Sequence, residues 1–249
     1  MSNSREDNCR RVVDFIRDAS DANGGRCVVA FSGGVDSAVV AKAAHLAVGD
    51  QAVAFTGVSP SLAEGELDAA RRVAEQIGIR HEVVRTQEVT NPQYLANAPD
   101  RCFHCKDELY SQLTTAAAHF GDAMILNGAN ADDLGDYRPG MQAASEHQVR
   151  SPLAECDVDK AGTREMAQQW SLEVWDKPAT PCLSSRVVYG LEVTPERLAR
   201  IDAAEQVLRQ LGLQAVRVRY HENDLARIEV PVDQLARLCS DEVRPGLIA

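Results

Sequence analysis

Cys27-Val-Val-Ala-Phe-Ser-Gly-Gly-Val-Asp-Ser37 runs from a short apolar stretch directly into a turn of small residues, and an Ala/Val-rich segment of helical length follows to about residue 47. A continuous apolar run of strand length predicts burial on both faces, as in a parallel sheet. Ligands of such sheets sit beyond the carboxyl ends of the strands. There, glycines ahead of a helix let the backbone approach an anion, and the helix start offers unpaired N–H groups. An isolated Gly-Gly would read as an ordinary tight turn. The whole hexad between a strand and a helix reads as a phosphate loop, with Ser32, Gly33, Gly34, Val35 and Ser37 as phosphate contacts. Asp36 repels phosphate, so its expected role is to position Mg²⁺ or to cap the loop. A Walker A loop would need Lys after its last glycine, and none stands there.

Outward from this loop the chain alternates. Apolar positions 12, 13, 15, 16 and 19 predict a helix over 5–20, broken by Asn23-Gly24-Gly25. Strands are predicted over 51–56, 81–85 and 123–127, with helices over 36–47 and 103–119. Ser61-Leu-Ala-Glu64 matches a capping box, which predicts a helix running to Ile77 and ended by Gly78. This order predicts an α/β fold, a parallel sheet with helices on both faces. After residue 150 a helix is expected over 158–170, then a stiff connector, Lys177-Pro-Ala-Thr-Pro181. Thr194 as cap and Pro195 in the first turn predict a helix to Leu211; strands over 214–220 and 226–230 and a closing helix over 231–239 follow. The expected division is a phosphate-loop domain over 1–184 and a small α+β domain over 185–249.

Among 249 residues, 26 Lys and Arg face 37 Asp and Glu, a net charge of −11, which disfavours a broad nucleic-acid surface. An apolar content of 45% excludes global disorder. No apolar run reaches the ~20 residues of a membrane span, and the opening Met1–Arg10 lacks the apolar core of a secretory signal. The expectation is a cytoplasmic protein without membrane or nucleic-acid partners.

Seven cysteines, at 9, 27, 102, 105, 156, 182 and 239, are too odd a set for a disulfide framework. Cys27 and Cys239 are predicted to lie in cores, and Cys9 near a mobile terminus. Cys182 has Arg186 four residues on, and a nearby guanidinium favours a thiolate. Cys102 and Cys105 form a CxxC pair, which reads as metal-binding or redox-active. Zinc would need a second such pair; three thiolates can hold a [4Fe–4S] cluster with one open iron. Asn127, Asn130, Asp132 and Asp133 follow the fourth strand at the ligand edge, as ligand contacts, with Asp132 a Mg²⁺ partner, or as turn chemistry. Arg217 and Arg219 alternate on one strand face and suit the phosphate of a mononucleotide; solvated strand charges are the alternative.

The hexad resembles the PP-loop, SGGxDS, of ATP pyrophosphatases, which implies adenylation of a substrate with release of pyrophosphate. Four further segments, Arg101-Cys-Phe-His-Cys-Lys106, Asn127-Gly-Ala-Asn-Ala-Asp-Asp-Leu-Gly-Asp-Tyr-Arg-Pro-Gly140, Arg150-Ser-Pro-Leu-Ala154 and Trp175-Asp-Lys-Pro-Ala-Thr-Pro-Cys-Leu-Ser-Ser-Arg186, occur in family order. Together with the loop they resemble the LarE family, ATP-dependent sulfur transferases that make the nickel-pincer nucleotide cofactor of lactate racemase. The resemblance implies an adenine nucleotide α-hydrolase-like fold, ATP, Mg²⁺ and a pyridinium-3,5-biscarboxylic acid mononucleotide substrate. A carboxylate is adenylated, sulfur displaces AMP, and two rounds give the bisthiocarboxylate. Cys182 matches the cysteine that in some members surrenders its own sulfur. Other members carry cysteines matching Cys102, Cys105 and Cys182 and are thought to use a [4Fe–4S] cluster, the route favoured here. A Cys102–Cys105 disulfide or persulfide relay ranks third, with His104 a bystander. Ser185 and Arg186 adjoin Cys182, and Glu205 and Glu229 resemble family acids proposed to bind metal or substrate. The resemblance further implies a homo-oligomer, trimeric or hexameric. The competing readings are a PP-loop tRNA thiolase, which would want a basic surface, and a non-catalytic ATP-sensing module.

Overall fold

The strand–helix alternation folds into a four-stranded parallel sheet in the order β3-β2-β1-β4. The computed structural model describes residues 2–135, 138–213 and 215–248. Its strands are β1 (Cys27–Ala30), β2 (Ala52–Val58), β3 (Arg80–Arg85) and β4 (Met124–Leu126). Around them lie α1 (Ser2–Ser20), α2 (Val35–Val48), α3 (Glu66–Ile77), a single turn α4 (Pro92–Leu95), α5 (Arg101–His119), α6 (Pro139–Glu146), a single turn α7 (Pro152–Glu155) and α8 (Lys160–Gln169). β1 pairs with β2 on one side and β4 on the other, so the direction of winding reverses at β1. The crevice at the carboxyl ends of β1 and β4 is therefore the switch point where this architecture binds ligands.

Alternation along β1 divides its side chains between two cores. Cys27 and Val29 join Val12 and Ile16 of α1, Val39 and Ala43 of α2, and Met166 of α8. Val28 points the other way, to Tyr110 and Leu113 of α5 and Ala143 of α6. Helix α2 is buried over most of its surface, which explains why its sequence is apolar all round rather than striped.

The chain separates into two compact units that do not follow one cut at residue 184. One comprises Met1–Ser59, Gly65–Glu88 and Cys102–Ala179; the other gathers Pro60–Glu64, Val89–Arg101 and Thr180–Ala249. The second unit holds α9 (Pro195–Gln210) and an antiparallel pair, β5 (Arg217–Tyr220) and β6 (Ala226–Glu229). Leu208, Leu213, Val216, Val218 and Val243 form its core. As predicted, Thr194 caps α9 by accepting from the Arg197 N–H at 3.3 Å, with Pro195 in the first turn. No helix among the described residues is long and apolar enough to cross a membrane.

Four local expectations are corrected. The capping box is not used: α3 begins at Glu66, because the Ser61 carbonyl accepts from Leu183 N–H and the Glu64 N–H is taken by Asp202. Cys9 is buried at 7% exposure in the core beneath α1 rather than lying on a loose end. The closing helix is broken into short turns at Val232–Gln234 and Leu235–Leu238, which leaves Cys239 exposed. Strand β5 begins only at Arg217. Gln214, Asp136 and Tyr137 lie outside the described residues.

The sheet edge next to the loop is tied by a short relay. Thr56 Oγ1 donates to the Phe31 carbonyl at 2.9 Å and lies 2.8 Å from His81 Nε2, whose ring meets Phe31 edge-on. Burial, and then the charge of Arg71, hold the His81 imidazole below its ordinary value of 6.5. A histidine with a depressed folded-state pKa binds fewer protons than the unfolded chain. Its contribution is complete above 6.5 and is lost as pH falls through the folded value. Urea titrations between pH 7.5 and 5 should show the parent protein losing more stability than His81→Gln, with the difference opening below about pH 6.5.

Candidate active site

The phosphate loop leaves β1 and reaches α2 through Gly33, which has φ +69°. A methyl group there would stand 2.8 Å from the Ala70 Cα, so both conformation and packing against α3 require glycine. Gly34 precedes the helix at the switch point with no side-chain cap, and its own N–H donates to Ser32 Oγ at 3.4 Å. Ser37 Oγ donates to the Gly34 carbonyl at 3.0 Å and accepts from the Ser32 N–H at 3.2 Å, fixing the turn internally. The Ser32 hydroxyl, 3.2 Å from that of Ser37, belongs to an exposed residue and can face a ligand. From the neighbouring strand end, Gly128 presses on this helix start: a methyl group on it would lie 2.8 Å from Ser37 N. Thus the loops after β1 and β4 meet at the opening of α2.

Asp36, in the first turn of α2, is not an unpartnered carboxylate. Its Oδ2 pairs with Lys160 Nζ and its Oδ1 accepts from Asn130 Nδ2 at 3.3 Å. The backbone N–H of Lys160 donates to Asp132 Oδ2 at 3.0 Å, while Asn130 Oδ1 accepts from the Asp132 N–H. Asn130 N–H in turn donates to Asp133, which pairs with Arg138. Turn chemistry and ligand-edge placement are therefore the same residues here. Asn127 is buried, accepting from Ser151 Oγ and Ala129 N–H and donating to Tyr110 OH, so its polar groups hold the loop shape. Sequence reading missed Lys160 and Gly128. The signals were present, a Lys directly after the α8 cap Asp159 and a Gly directly after a strand, but neither reveals its partner.

In the second unit Cys182 is exposed, on a segment whose backbone is pinned from several sides. Its carbonyl accepts from Ser185 N–H, Ser185 Oγ and Arg186 Nη1 at 3.0, 2.8 and 3.2 Å. Arg101 Nη1 holds the Ser184 carbonyl at 2.8 Å, and Arg219 Nη1 holds that of Ser185 at 2.7 Å. Arg186 was expected beside the Cys182 thiolate. It turns inward instead: its side chain is 2% exposed and pairs with Glu205, 0% exposed, at 2.9 Å. Glu205 also accepts from Arg209 and from Val218 N–H, which commits both of its oxygens. A buried guanidinium needs acceptors, and Arg186 finds them in a carboxylate and in the carbonyls of Pro181 and Cys182. Arg219 and Arg227 both pair with Glu229 at the hairpin surface. Burial raises the Glu229 carboxyl, but the hydrogen bonds from Arg227 and Arg219 outweigh it and hold it below the usual range. Arg217 is half-buried on the same strand face as Arg219.

The remaining cysteines sort by burial. Desolvation pushes the Cys27 thiol up to about 12 and that of Cys9 up to about 11, so neither is a nucleophile at neutral pH. Cys102 is exposed and Cys105 half-buried, one turn apart at the start of α5, a spacing that places both on one helix face. They belong to the first unit and Cys182 to the second. No three His, Cys, Asp or Glu side chains among the described residues are gathered so as to hold a metal ion.

Comparison with known proteins adds to this geometry. The profile of the NAD synthase family matches residues 8–105. An uncharacterised protein of Synechocystis sp. is 50% identical over 216 residues, which cover 87% of this chain and 80% of that protein. The pyridinium-3,5-bisthiocarboxylic acid mononucleotide synthase of Lactiplantibacillus plantarum is 40% identical over 207 residues, 83% of this chain and 75% of that protein. A tRNA-specific 2-thiouridylase of Ruegeria sp. is 31% identical over 195 residues, covering 61% of this chain but 50% of its own length.

Glu205 and Glu229 should separate by burial. Glu205→Ala, which strands a buried guanidinium, should cost about 3–5 kcal/mol of unfolding free energy. Glu229→Ala should cost under about 1 kcal/mol, and urea unfolding curves of the two variants measure both values.

Proposed function

The chain belongs to the LarE family of sulfur-transferring synthases, and from that premise we propose that it converts the carboxylates of pyridinium-3,5-biscarboxylic acid mononucleotide to thiocarboxylates. The observation that carries the reading is the uncapped start of α2 at the switch point, a place for a polyphosphate, in a chain that also presents an exposed Cys182. ATP lies with its phosphates on the N–H groups of Gly34, Val35 and Asp36 and on the Ser32 hydroxyl. A substrate carboxylate oxygen attacks the α-phosphorus, the bond to the β-phosphate bridge breaks, and pyrophosphate leaves. Asp36 and Asp132 are the carboxylates that would hold Mg²⁺, which when bound neutralises the polyphosphate and its leaving group.

The Cys182 thiolate then attacks the acyl carbon, and AMP leaves with the electron pair of the acyl–oxygen bond. Elimination completes the transfer: the Cys182 Cα loses a proton, the Cβ–Sγ bond breaks toward sulfur, and thiocarboxylate and dehydroalanine result with no net redox change. Arg186, Arg101 and Arg219 hold the backbone on both sides of Cys182, which positions the thiol while leaving it open to solvent. Arg217 and Arg219 are the cations proposed for the substrate phosphate.

The cluster route, the one favoured from the sequence, keeps the sulfur outside the polypeptide. Cys102, Cys105 and Cys182 have the donor chemistry of a [4Fe–4S] site, and such a cluster would supply sulfide from its open iron. The reading includes a homo-oligomer in the cytoplasm that acts without nucleic acid; salt-sensitive tRNA binding would instead favour a thiolase.

Supplied with ATP, Mg²⁺ and the pyridinium substrate, the parent protein should release pyrophosphate and form thiocarboxylate. Cys182→Ser should keep pyrophosphate release and lose thiocarboxylate, read by phosphate assay and mass spectrometry. ATP binding without pyrophosphate release would defeat the proposal and favour a sensing module. About four irons per chain in anaerobically purified protein, lost in each cysteine variant, would select the cluster. Iron-free active protein that becomes lighter by one H₂S would select the sacrificial route.

A further inference from the structure

Lys160 occupies the carboxylate that a phosphate-bound metal would use. Its Nζ pairs with Asp36 Oδ2, and its backbone N–H engages Asp132 Oδ2 at 3.0 Å, so one residue touches both carboxylates proposed for the metal. The pair is reachable from solvent, with side-chain exposures of 37% for Lys160 and 27% for Asp36. The other Asp36 oxygen is already satisfied by Asn130. An ammonium seated there neutralises Asp36 and repels a second cation. The positive end of α2 does the same more weakly. A divalent ion arriving alone must break the ion pair and leave Lys160 without a counter-charge.

We propose that Lys160 is a resident cation that keeps divalent metal off Asp36 until ATP arrives, and that it then transfers to the polyphosphate. The inference rests on the reading of this loop as an ATP site. When nucleotide enters, the displaced ammonium gains a phosphate partner within reach of its flexible stem. Metal and nucleotide then bind with positive coupling, each removing the obstacle to the other. Once transferred, Lys160 lies beside the leaving pyrophosphate, where negative charge grows as the α–β bond breaks. It is a positioning and charge-stabilising residue for the adenylation step.

The test uses Mn²⁺ alone, followed by electron paramagnetic resonance, and then Mn²⁺ with α,β-methylene ATP. Lys160→Met should bind Mn²⁺ in the absence of nucleotide about two- to fivefold more tightly than the parent, the scale of one partly exposed ion pair. Nucleotide should raise Mn²⁺ affinity strongly in the parent and by correspondingly less in Lys160→Met. Lys160→Arg, which keeps the cation, should match the parent with Mn²⁺ alone, and Asp36→Asn added to Lys160→Met should erase the gain. Pyrophosphate release should fall about 100-fold in Lys160→Met. Unchanged or weaker Mn²⁺ binding by Lys160→Met would overturn the proposal, as would an equal gain in Lys160→Arg. If the parent releases no pyrophosphate with the pyridinium substrate, the functional reading fails; the Mn²⁺ comparison needs no substrate and still decides the role of Lys160.

Discussion

Two backbone segments press on the start of α2 without closing it, and most residue choices around the phosphate loop answer to that contact. Ala70 of α3 lies against Gly33, and Gly128 lies against Asp36 and Ser37. A methyl group at either glycine would fall inside 3 Å of backbone atoms, which cannot swing aside as a side chain can. The close approach brings the ends of β1 and β4 to one helix N-terminus, and the missing side-chain cap leaves its N–H groups for a ligand. Ser37 spends its hydroxyl on the turn, so the helix opening is rigid before any anion arrives. Stabilisation of a polyphosphate by such fixed dipoles needs no rearrangement at the moment of reaction.

The second unit solves a different problem. The Cys182 thiol is exposed, yet its backbone and that of the residues after it are held. Glu205 gathers Arg186, Arg209 and the Val218 N–H in a buried cluster, and Arg186 passes that order on to the carbonyls of Pro181 and Cys182. Burying a charge pair is costly unless every remaining donor and acceptor is satisfied, and here each oxygen of Glu205 has partners. Arg101 and Asn97 extend the scaffold, the latter donating to the carbonyls of Val188 and Leu191 at 2.8 Å.

The net charge of −11 conceals this distribution. Cations are placed where a carboxylate or a carbonyl needs them: Lys160 on Asp36, Arg219 and Arg227 on Glu229, Arg186 and Arg209 on Glu205, and Arg219 also on the Ser185 carbonyl. Bulk charge speaks to solubility and to broad surfaces, and it carries no information about which acid is already paired.

The amino-acid sequence by itself determined whatever depends on near neighbours. The apolar run into Ser32-Gly33-Gly34 set the strand, the loop and the helix; Gly78 ended α3, and Thr194 with Pro195 began α9. Motif order, more specific than any local pattern, carried the family. Tertiary structure alone decided the partners of groups that reach far along the chain. The capping box at Ser61 failed because Leu183 and Asp202 claimed its carbonyl and N–H. Arg186 was diverted from the Cys182 thiol by a glutamate 19 residues away, and Asp36 met a lysine 124 residues away. A turn or cap is closed by atoms that a few residues place within hydrogen-bond reach, so its residues announce it. Long flexible side chains are placed by whichever surfaces the packed elements bring together, and no local pattern encodes that meeting.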